Sequence, residues 1–204
     1  MSNEARDQDK AAAVFRQAVA ILEESSFDYA VGGGLATAHW TGGADRIADI
    51  DVLIREDDAS EILKQLDAAG YEVTEMEHSW LHKAFKNGTT VDLMFELKNG
   101  TRFDGSFQEH RKRAEMFGSR PYVMAPEDQV ATLAATVDRE AIGDHWYSII
   151  DIMSNNDLDW PYLITRSQRI PLRMLGVLYF ALSEKVPVQK GVIEQLVELA
   201  AASG

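Results

Sequence analysis

The apolar residues of this chain follow two different periods, and the change between them divides the sequence. In the first part, short apolar or alternating runs lie between turn residues such as glycine and asparagine and predict β-strands. Segments with apolar residues three or four positions apart join these runs and predict helices. From about residue 124 only the helical period recurs, beginning at Pro126, and proline suits a first helical turn. We therefore predict an α/β domain over residues 1–123 and a helical domain over residues 124–204.

The same pattern places the individual elements. In the first domain we predict helices at residues 10–24, 35–40, 59–69 and 107–116 and strands at residues 29–31, 50–54, 71–76, 81–86, 89–95 and 122–124, with residues 1–9 frayed. In the second domain we predict helices at residues 127–137, 140–153, 161–166, 171–184 and 189–202. This order predicts an α/β (α+β) fold, in which a mixed β-sheet core with packed helices is followed by an α-helical C-terminal domain.

Two closely spaced aspartates follow a glycine-rich stretch. Gly33 and Gly34 form a predicted turn just before a short helix, and Asp49 and Asp51 flank Ile50 in the next strand. Side chains alternate along a strand, so the two aspartates share one face. Carboxylates this close repel each other, so either one takes up a proton or a cation neutralises the pair. Mg²⁺, with Mn²⁺ as the alternative, is the expected cation, and glycine N–H groups at a helix N-terminus suit an anion such as phosphate.

A third carboxylate, Asp92, lies in the middle of an otherwise apolar strand. Burying an unpaired carboxylate is costly, so Asp92 requires a partner. If its strand pairs with the strand of Asp49 and Asp51, the three carboxylates form a cluster able to hold two metal ions, which is an arrangement for in-line phosphoryl or nucleotidyl transfer. Two aspartates alone are more often turn or capping residues, and it is the combination with the glycines and Asp92 that favours a metal site.

In this order, Gly33, Gly34, Asp49, Asp51 and Asp92 resemble the pattern of the nucleotidyltransferase superfamily of the DNA polymerase β type. The resemblance covers about residues 29 to 96. It implies that Asp49 and Asp51 bind both metal ions, and that Asp92 completes the second metal site and accepts the proton of the acceptor hydroxyl. It also implies that the two glycines hold the phosphates of an NTP through backbone donors.

Within that superfamily, the run from Gly33 to Ala36 is similar to the start of small bacterial nucleotidyltransferases. These include the aminoglycoside- and lincosamide-modifying enzymes and the AbiEii toxins. The helical half is similar, more weakly, to a group of uncharacterised bacterial nucleotidyltransferases. The resemblance implies transfer of a nucleoside monophosphate, most often AMP, with release of pyrophosphate.

Three further residues are candidates for substrate contact. Arg46 lies three residues before Asp49, near the place where the small bacterial relatives carry an arginine. The resemblance implies a contact with the triphosphate, but the spacing is one residue short and an ordinary loop arginine fits equally well. His82 and Lys83 lie on a predicted strand whose alternate positions face one side. For both, a solvated strand face is the favoured reading over substrate contact.

Composition restricts the partners. The 204 residues carry a net charge of −13, and such an acidic surface repels a nucleic-acid backbone, so long nucleic acid is disfavoured and a small or cationic acceptor is favoured. The absence of cysteine excludes disulfides and thiolate metal sites. The polar N-terminus predicts no secretory signal, and no apolar run approaches the roughly 20 residues of a membrane span. We therefore expect a cytoplasmic protein that does not enter a membrane, and the sequence does not indicate an oligomeric state.

We predict a metal-dependent nucleotidyltransferase that uses an NTP and a small-molecule or protein acceptor, with the helical domain closing the cleft and shaping the acceptor site. One alternative is a non-catalytic nucleotide- or partner-binding protein on the same fold, such as a toxin–antitoxin component. A toxin that modifies tRNA through a local basic patch is a second. A glycosyltransferase that uses Asp-x-Asp to hold a nucleotide sugar is a third, but it leaves the glycine turn and Asp92 unexplained.

Overall fold

The chain divides into two units. The computed structural model describes residues 3–43, 46–76, 80–136 and 142–202. The first unit comprises Met1–His39, Gly43–Glu96 and Arg102–Met124, and the second comprises Trp40–Gly42, Leu97–Thr101 and Ala125–Gly204. The predicted frayed residues 1–2, the predicted end of a helix at residue 137 and the predicted start of another at residue 140 lie outside the described residues.

The first unit is built on a mixed sheet. Its elements in chain order are α1 (Asn3–Glu24), β1 (Tyr29–Val31), α2 (Gly33–Thr41), β2 (Ile50–Ile54), a 3₁₀ turn (Glu56–Asp58), α3 (Ala59–Ala68), β3 (Glu72–Thr74), β4 (Leu81–Lys86), β5 (Thr89–Met94), α4 (Gly105–His110), β6 (Lys112–Arg113) and β7 (Tyr122–Val123). Within the described residues the strands form one seven-stranded sheet in the order β3-β4-β5-β2-β1-β7-β6. The β2–β5 and β1–β7 pairs are parallel and the others are antiparallel. The predicted α/β (α+β) fold class is confirmed.

Helix α1 packs into the first unit through one apolar face. Val14, Phe15, Ala18 and Leu22 are buried, and their spacing of three or four residues places them on one side of the helix. Each large apolar side chain buried in this way stabilises the fold by about 1.5–3 kcal/mol. Tyr71, which follows α3, donates a hydrogen bond of 2.9 Å to the backbone carbonyl of Val14, and burial raises the pKa of this phenol to about 12.

A tight hairpin joins β4 to β5. Asn87 and Gly88 have φ angles of 51° and 84°, the left-handed values that a two-residue type I′ turn requires. The strands then pair from Lys86 opposite Thr89 up to Leu81 opposite Met94. The Asn-Gly turn and both strand positions agree with the sequence-based prediction, and the turn fixes which residues of the two strands lie opposite each other.

The region after α4 differs from the prediction. A helix was expected over residues 107–116, but α4 ends at His110 and β6 follows it. Arg111 leaves the helical conformation with a ψ of 147°. Its guanidinium then donates to the carbonyl of Tyr29 at 2.9 Å and to Asp28 at 3.1 Å. These long-range contacts with Tyr29 of β1 and with the preceding Asp28 favour the extended backbone at this position, and local sequence patterns do not reveal them.

The second unit is helical in the described residues. Its helices are α5 (Pro126–Ala135), α6 (Ile142–Asn155), α7 (Trp160–Arg166), α8 (Pro171–Ser183) and α9 (Val192–Ala202). Their apolar faces form one core that includes Val130, Ile149, Leu163, Leu178 and Leu196. All five helices correspond to predicted helices, with shifted ends.

Two helices of the second unit are joined by buried polar groups. Asp128 of α5 is completely buried and accepts a hydrogen bond of 2.8 Å from the hydroxyl of Tyr162 on α7. The guanidinium of Arg166 lies 3.1 Å from the other oxygen of Asp128 and donates to the Tyr162 hydroxyl at 2.9 Å. Burial and the charge of Asp128 raise the pKa of Tyr162 above its ordinary range. The three side chains therefore form one buried cluster of contacting polar groups between α5 and α7.

Three element boundaries in the first unit also differ from the prediction. Helix α1 begins at Asn3, although residues 3–9 were expected to be frayed. Gln8 explains part of this difference, because its side-chain amide both donates to and accepts from the backbone of Ile47, at 3.0 Å each way. Helix α2 begins at Gly33 and not at Leu35, and β3 is shorter than predicted. No helix among the described residues has the length and apolar character that crossing a membrane requires.

Candidate active site on β2, β5 and the start of α2

The carboxylate of Asp51 lies against the first residue of α2. A Cβ on Gly33 would overlap the carboxylate oxygen, the carboxylate carbon and the Cβ of Asp51. Gly33 has a backbone φ of 57°, which residues other than glycine rarely adopt. The Gly32 amide donates to the carbonyl of Asp51 at 2.9 Å, which ties the β1–α2 turn to β2. Glycine at position 33 is therefore what allows Asp51 and the start of α2 to approach each other.

Asp51 and Asp92 are direct neighbours on adjacent strands. In the parallel ladder between β2 and β5, the Cα of Asp51 pairs with the Cα of Asp92. Paired residues on neighbouring strands project to the same face of a sheet, so both carboxylates share one face. The strand pairing that the three-carboxylate prediction required is thus present. Asp49 immediately precedes β2, and its side chain is exposed.

Lys83 forms an ion pair with Asp92 and lies on β4, the strand that flanks β5 on the side opposite β2. The Lys83 ammonium lies 2.8 Å and 2.9 Å from the two carboxylate oxygens of Asp92. The Asp92 side chain is only 14% exposed, whereas that of Lys83 is 43% exposed. In strand order β4-β5-β2, Lys83, Asp92 and Asp51 therefore form a row of charged residues across three neighbouring strands.

His82 and Lys83 lie on opposite sides of β4, because they are consecutive in a strand. His82 is buried, its ring packs edge-on against Phe95 at 4.7 Å between centroids, and its Nδ1 accepts from the Met76 amide at 3.1 Å. We assign His82 a packing role and no part in the proposed site.

Gly34 and Arg46 are exposed. A Cβ on Gly34 would meet no atom within 4 Å, so open space lies beside the first turn of α2. The guanidinium of Arg46 lies 3.2 Å from Glu4, and each side chain is 68% exposed. An ion pair this exposed contributes little to stability.

The donor set of these residues fits one magnesium ion. Magnesium is usually held by one or two carboxylates together with substrate phosphates, and Asp51 of β2 and Asp49, immediately before that strand, supply two carboxylates two residues apart. Asp92 fits a further metal ion less well, because the Lys83 ammonium already contacts both of its oxygens. Among the residues that the structure describes, no three carboxylate, imidazole or thiol side chains form a ready-made metal site.

Residues 5–186 of the chain match the family described as uncharacterised nucleotidyltransferases. The chain belongs to this family. None of the curated proteins compared with the sequence matches it. Family membership confirms the resemblance to the nucleotidyltransferase superfamily and the prediction of a nucleotidyltransferase enzyme. It also favours nucleotidyl transfer over the glycosyltransferase alternative.

Solved structures share the fold of this nucleotidyltransferase. An antigenic nucleotidyltransferase-like protein from Paracoccidioides brasiliensis is 18% identical, with 94% of this chain and 97% of that chain covered and a TM-score of 0.58. A lincosamide antibiotic adenylyltransferase with lincomycin bound is 13% identical, with 71% of this chain and 96% of that chain covered and a TM-score of 0.50. At these identities the likeness shows the fold alone.

Proposed function

We propose that this nucleotidyltransferase transfers a nucleoside monophosphate, AMP in the first instance, from a magnesium-bound NTP to a hydroxyl of a small-molecule or protein acceptor. The main support for this proposal is the position of Asp51. The Asp51 carboxylate lies against Gly33, and Asp51 is paired with Asp92 on the neighbouring strand. This arrangement joins a carboxylate pair to the N-terminus of a helix. The carboxylates suit a hard cation, and the helix terminus suits the phosphates that accompany it.

In the proposed reaction, the acceptor oxygen attacks the α-phosphorus of the NTP. The new oxygen–phosphorus bond forms while the bond from the α-phosphorus to the bridging oxygen of the β-phosphate breaks, and pyrophosphate leaves with that electron pair. The proton of the acceptor hydroxyl passes to the Asp92 carboxylate. The magnesium ion, when bound, neutralises charge on the phosphates and the leaving pyrophosphate.

Each proposed role follows from the chemistry of the residue. Asp49 and Asp51 hold the metal ion through carboxylate oxygens. Gly33 and Gly34 direct backbone N–H groups of the first turn of α2 towards the phosphates, and the open space beside Gly34 leaves room for them. Arg46 exchanges Glu4 for the triphosphate when the nucleotide binds.

The overall charge favours a cationic small molecule as the acceptor. A net charge of −13 attracts cations and repels polyanions, and this long-range field raises the local concentration of a positively charged acceptor. Pyrophosphate release with polyamino-sugar acceptors, compared with neutral hydroxyl compounds of similar size, tests this preference. Equal release with both classes would remove charge as the basis of acceptor choice.

Calorimetric titration of nucleotides tests the core of the proposal. ATP and the other NTPs are titrated, with and without magnesium, into the wild type, Asp49→Asn and Asp51→Asn. We expect magnesium-dependent binding by the wild type and a loss of at least about tenfold in affinity in each variant, equivalent to about 1.4 kcal/mol.

Asp57→Asn is the matched control. Asp57 is exposed and lies in the 3₁₀ turn that follows β2, so its replacement removes one negative charge from the same region without touching the proposed site. Nucleotide binding in Asp57→Asn should equal that of the wild type. If the wild type binds no NTP in the presence of magnesium, the proposal is wrong and the non-catalytic alternative is favoured.

A further inference from the structure

The ion pair between Lys83 and Asp92 bears on how many metal ions the site can hold. Both oxygens of Asp92 lie within 2.9 Å of the Lys83 ammonium, and this carboxylate is mostly withdrawn from solvent. A charge-assisted contact at this distance is among the stronger interactions between side chains. A metal ion that used Asp92 would have to displace the ammonium or share the oxygens with it.

The backbone pairing of β4 with β5 places Lys83 directly opposite Asp92. The Asn87–Gly88 turn fixes the β4–β5 register, and in that register the Cα of Lys83 is paired with the Cα of Asp92. Directly opposed residues on antiparallel strands have Cβ atoms about 4.5–5.5 Å apart, so the long lysine side chain reaches the short aspartate easily. A register slip would turn the hairpin's side chains to the other face, which its buried residues oppose.

The charges of Asp51, Asp92 and Lys83 also disfavour a metal ion at Asp92. Asp51 and Asp92 place two carboxylates side by side on adjacent strands, and Lys83 adds one positive charge at the end of this row. A divalent ion held between Asp51 and Asp92 would bring two positive charges next to the ammonium. Because like charges at such short range repel strongly, the ammonium and a second divalent ion compete for the same carboxylate.

We infer that Lys83 takes the place of a second metal ion, so that this nucleotidyltransferase binds one divalent ion with each NTP. The ion is held at Asp49 and Asp51, and Lys83 supplies the positive charge at Asp92. The inference rests on the proposed function, since it concerns the same nucleotide site. It differs from the two-metal expectation that the resemblance implies for Asp92.

Counting bound Mn²⁺ tests the inference without measuring activity. The protein is mixed with a non-hydrolysable α,β-methylene ATP, and bound Mn²⁺ is obtained from the loss of the free-ion electron paramagnetic resonance signal. We expect one Mn²⁺ per chain for the wild type and two for Lys83→Met, because removal of the ammonium frees Asp92. The double variant Lys83→Met/Asp92→Asn should return to one.

Two variants control for general effects of losing a lysine. Lys83→Arg keeps the positive charge and should bind one ion. Lys86→Met removes a lysine from the same strand whose ammonium bonds to Gln17 and not to the site, and it should also bind one ion. Circular dichroism of each variant checks that the sheet is retained.

The outcomes separate the inference from the proposed function. Two ions bound by the wild type together with the analogue would overturn the inference and leave the proposed function intact. One ion bound by Lys83→Met would also overturn it, since Asp92 would then take no metal even when free. Failure of the wild type to bind the analogue at all, with Mn²⁺ present, would overturn both.

Discussion

The carboxylate of Asp51 occupies the space that a side chain on Gly33 would need. Two separate costs therefore follow from replacing this glycine. The φ of 57° is unfavourable for any residue with a Cβ, and the new Cβ would force the Asp51 side chain away from the start of α2. The glycine is thus required by the geometry of the site as well as by the turn.

Gly33→Ala should lower the free energy of unfolding by more than the roughly 1–2 kcal/mol of left-handed backbone strain, because Asp51 must also move. It should weaken magnesium-dependent NTP binding as well. Chemical denaturation and calorimetry measure the two effects. Gly34→Ala is the matched control, since a Cβ there meets nothing within 4 Å, and its stability should stay the same or rise by up to about 1 kcal/mol. Equal stability of the two variants would contradict this account.

Gly88→Ala measures the free-energy cost of left-handed backbone strain in the absence of a steric clash. Gly88 has a φ of 84°, and a Cβ there would meet no atom within 4 Å. We expect a loss of about 1–2 kcal/mol in the free energy of unfolding, smaller than that of Gly33→Ala. Asn87→Gly should change stability much less, because glycine accepts the φ of 51° at that position. Urea denaturation of the three variants side by side gives the order, and a larger loss for Gly88→Ala than for Gly33→Ala would refute it.

One contact of the site follows from the residue numbers of the hairpin. With a two-residue turn at Asn87 and Gly88, the residue numbers of any two opposed positions have the same sum, so Lys83 must lie opposite Asp92 just as Lys86 lies opposite Thr89. The Lys83–Asp92 pair could therefore have been predicted from the turn and the strand pattern taken together. Local turn chemistry carries this information because it sets the register directly.

Other parts required the folded chain. The approach of Asp51 to Gly33 depends on how the turn between β1 and α2 meets β2, which no local pattern encodes. The early start of α1 is explained in part by Gln8 bonding to Ile47, far away in the sequence. The strand after α4 depends on Arg111 reaching β1. In each case a long-range contact outweighs a local propensity, which is why element type was predicted better than element ends.

Glu23 should make the first unit sensitive to acid. Burial raises the pKa of this carboxyl. Hydrogen bonds from Arg113, at 2.6 Å and 3.0 Å, and from the Tyr29 hydroxyl lower it by a larger amount, so the pKa of Glu23 lies below the ordinary 4.5. A carboxyl with a lowered folded-state pKa contributes stability above its unfolded pKa, and this contribution is lost as the pH falls through the folded value. The wild type should therefore exceed Glu23→Gln in stability at pH 7, and the difference should shrink below pH 4.5.

Urea denaturation between pH 7 and pH 3 measures this difference. Glu24→Gln serves as the control, because Glu24 is the exposed neighbour of Glu23 at the end of the same helix. Its stability should follow that of the wild type at every pH. A gap between the wild type and Glu23→Gln that stays constant from neutral to acid pH would show that Glu23 stabilises the fold through packing and not through its charge.

Asp128→Ala should be the most destabilising single change in the second unit. It leaves the buried guanidinium of Arg166 without its carboxylate and the Tyr162 hydroxyl without its acceptor, and breaking a buried pair in this way costs about 3–5 kcal/mol. The double variant Asp128→Leu/Arg166→Met removes both charges and should lose less than Asp128→Ala, because an apolar replacement leaves no unpaired charge. Thermal melts followed by circular dichroism rank the variants. If the double variant is as unstable as Asp128→Ala, the cost of leaving one buried charge unpaired does not explain the loss. The attraction between the two charges would then be what stabilises the packing of α5 on α7.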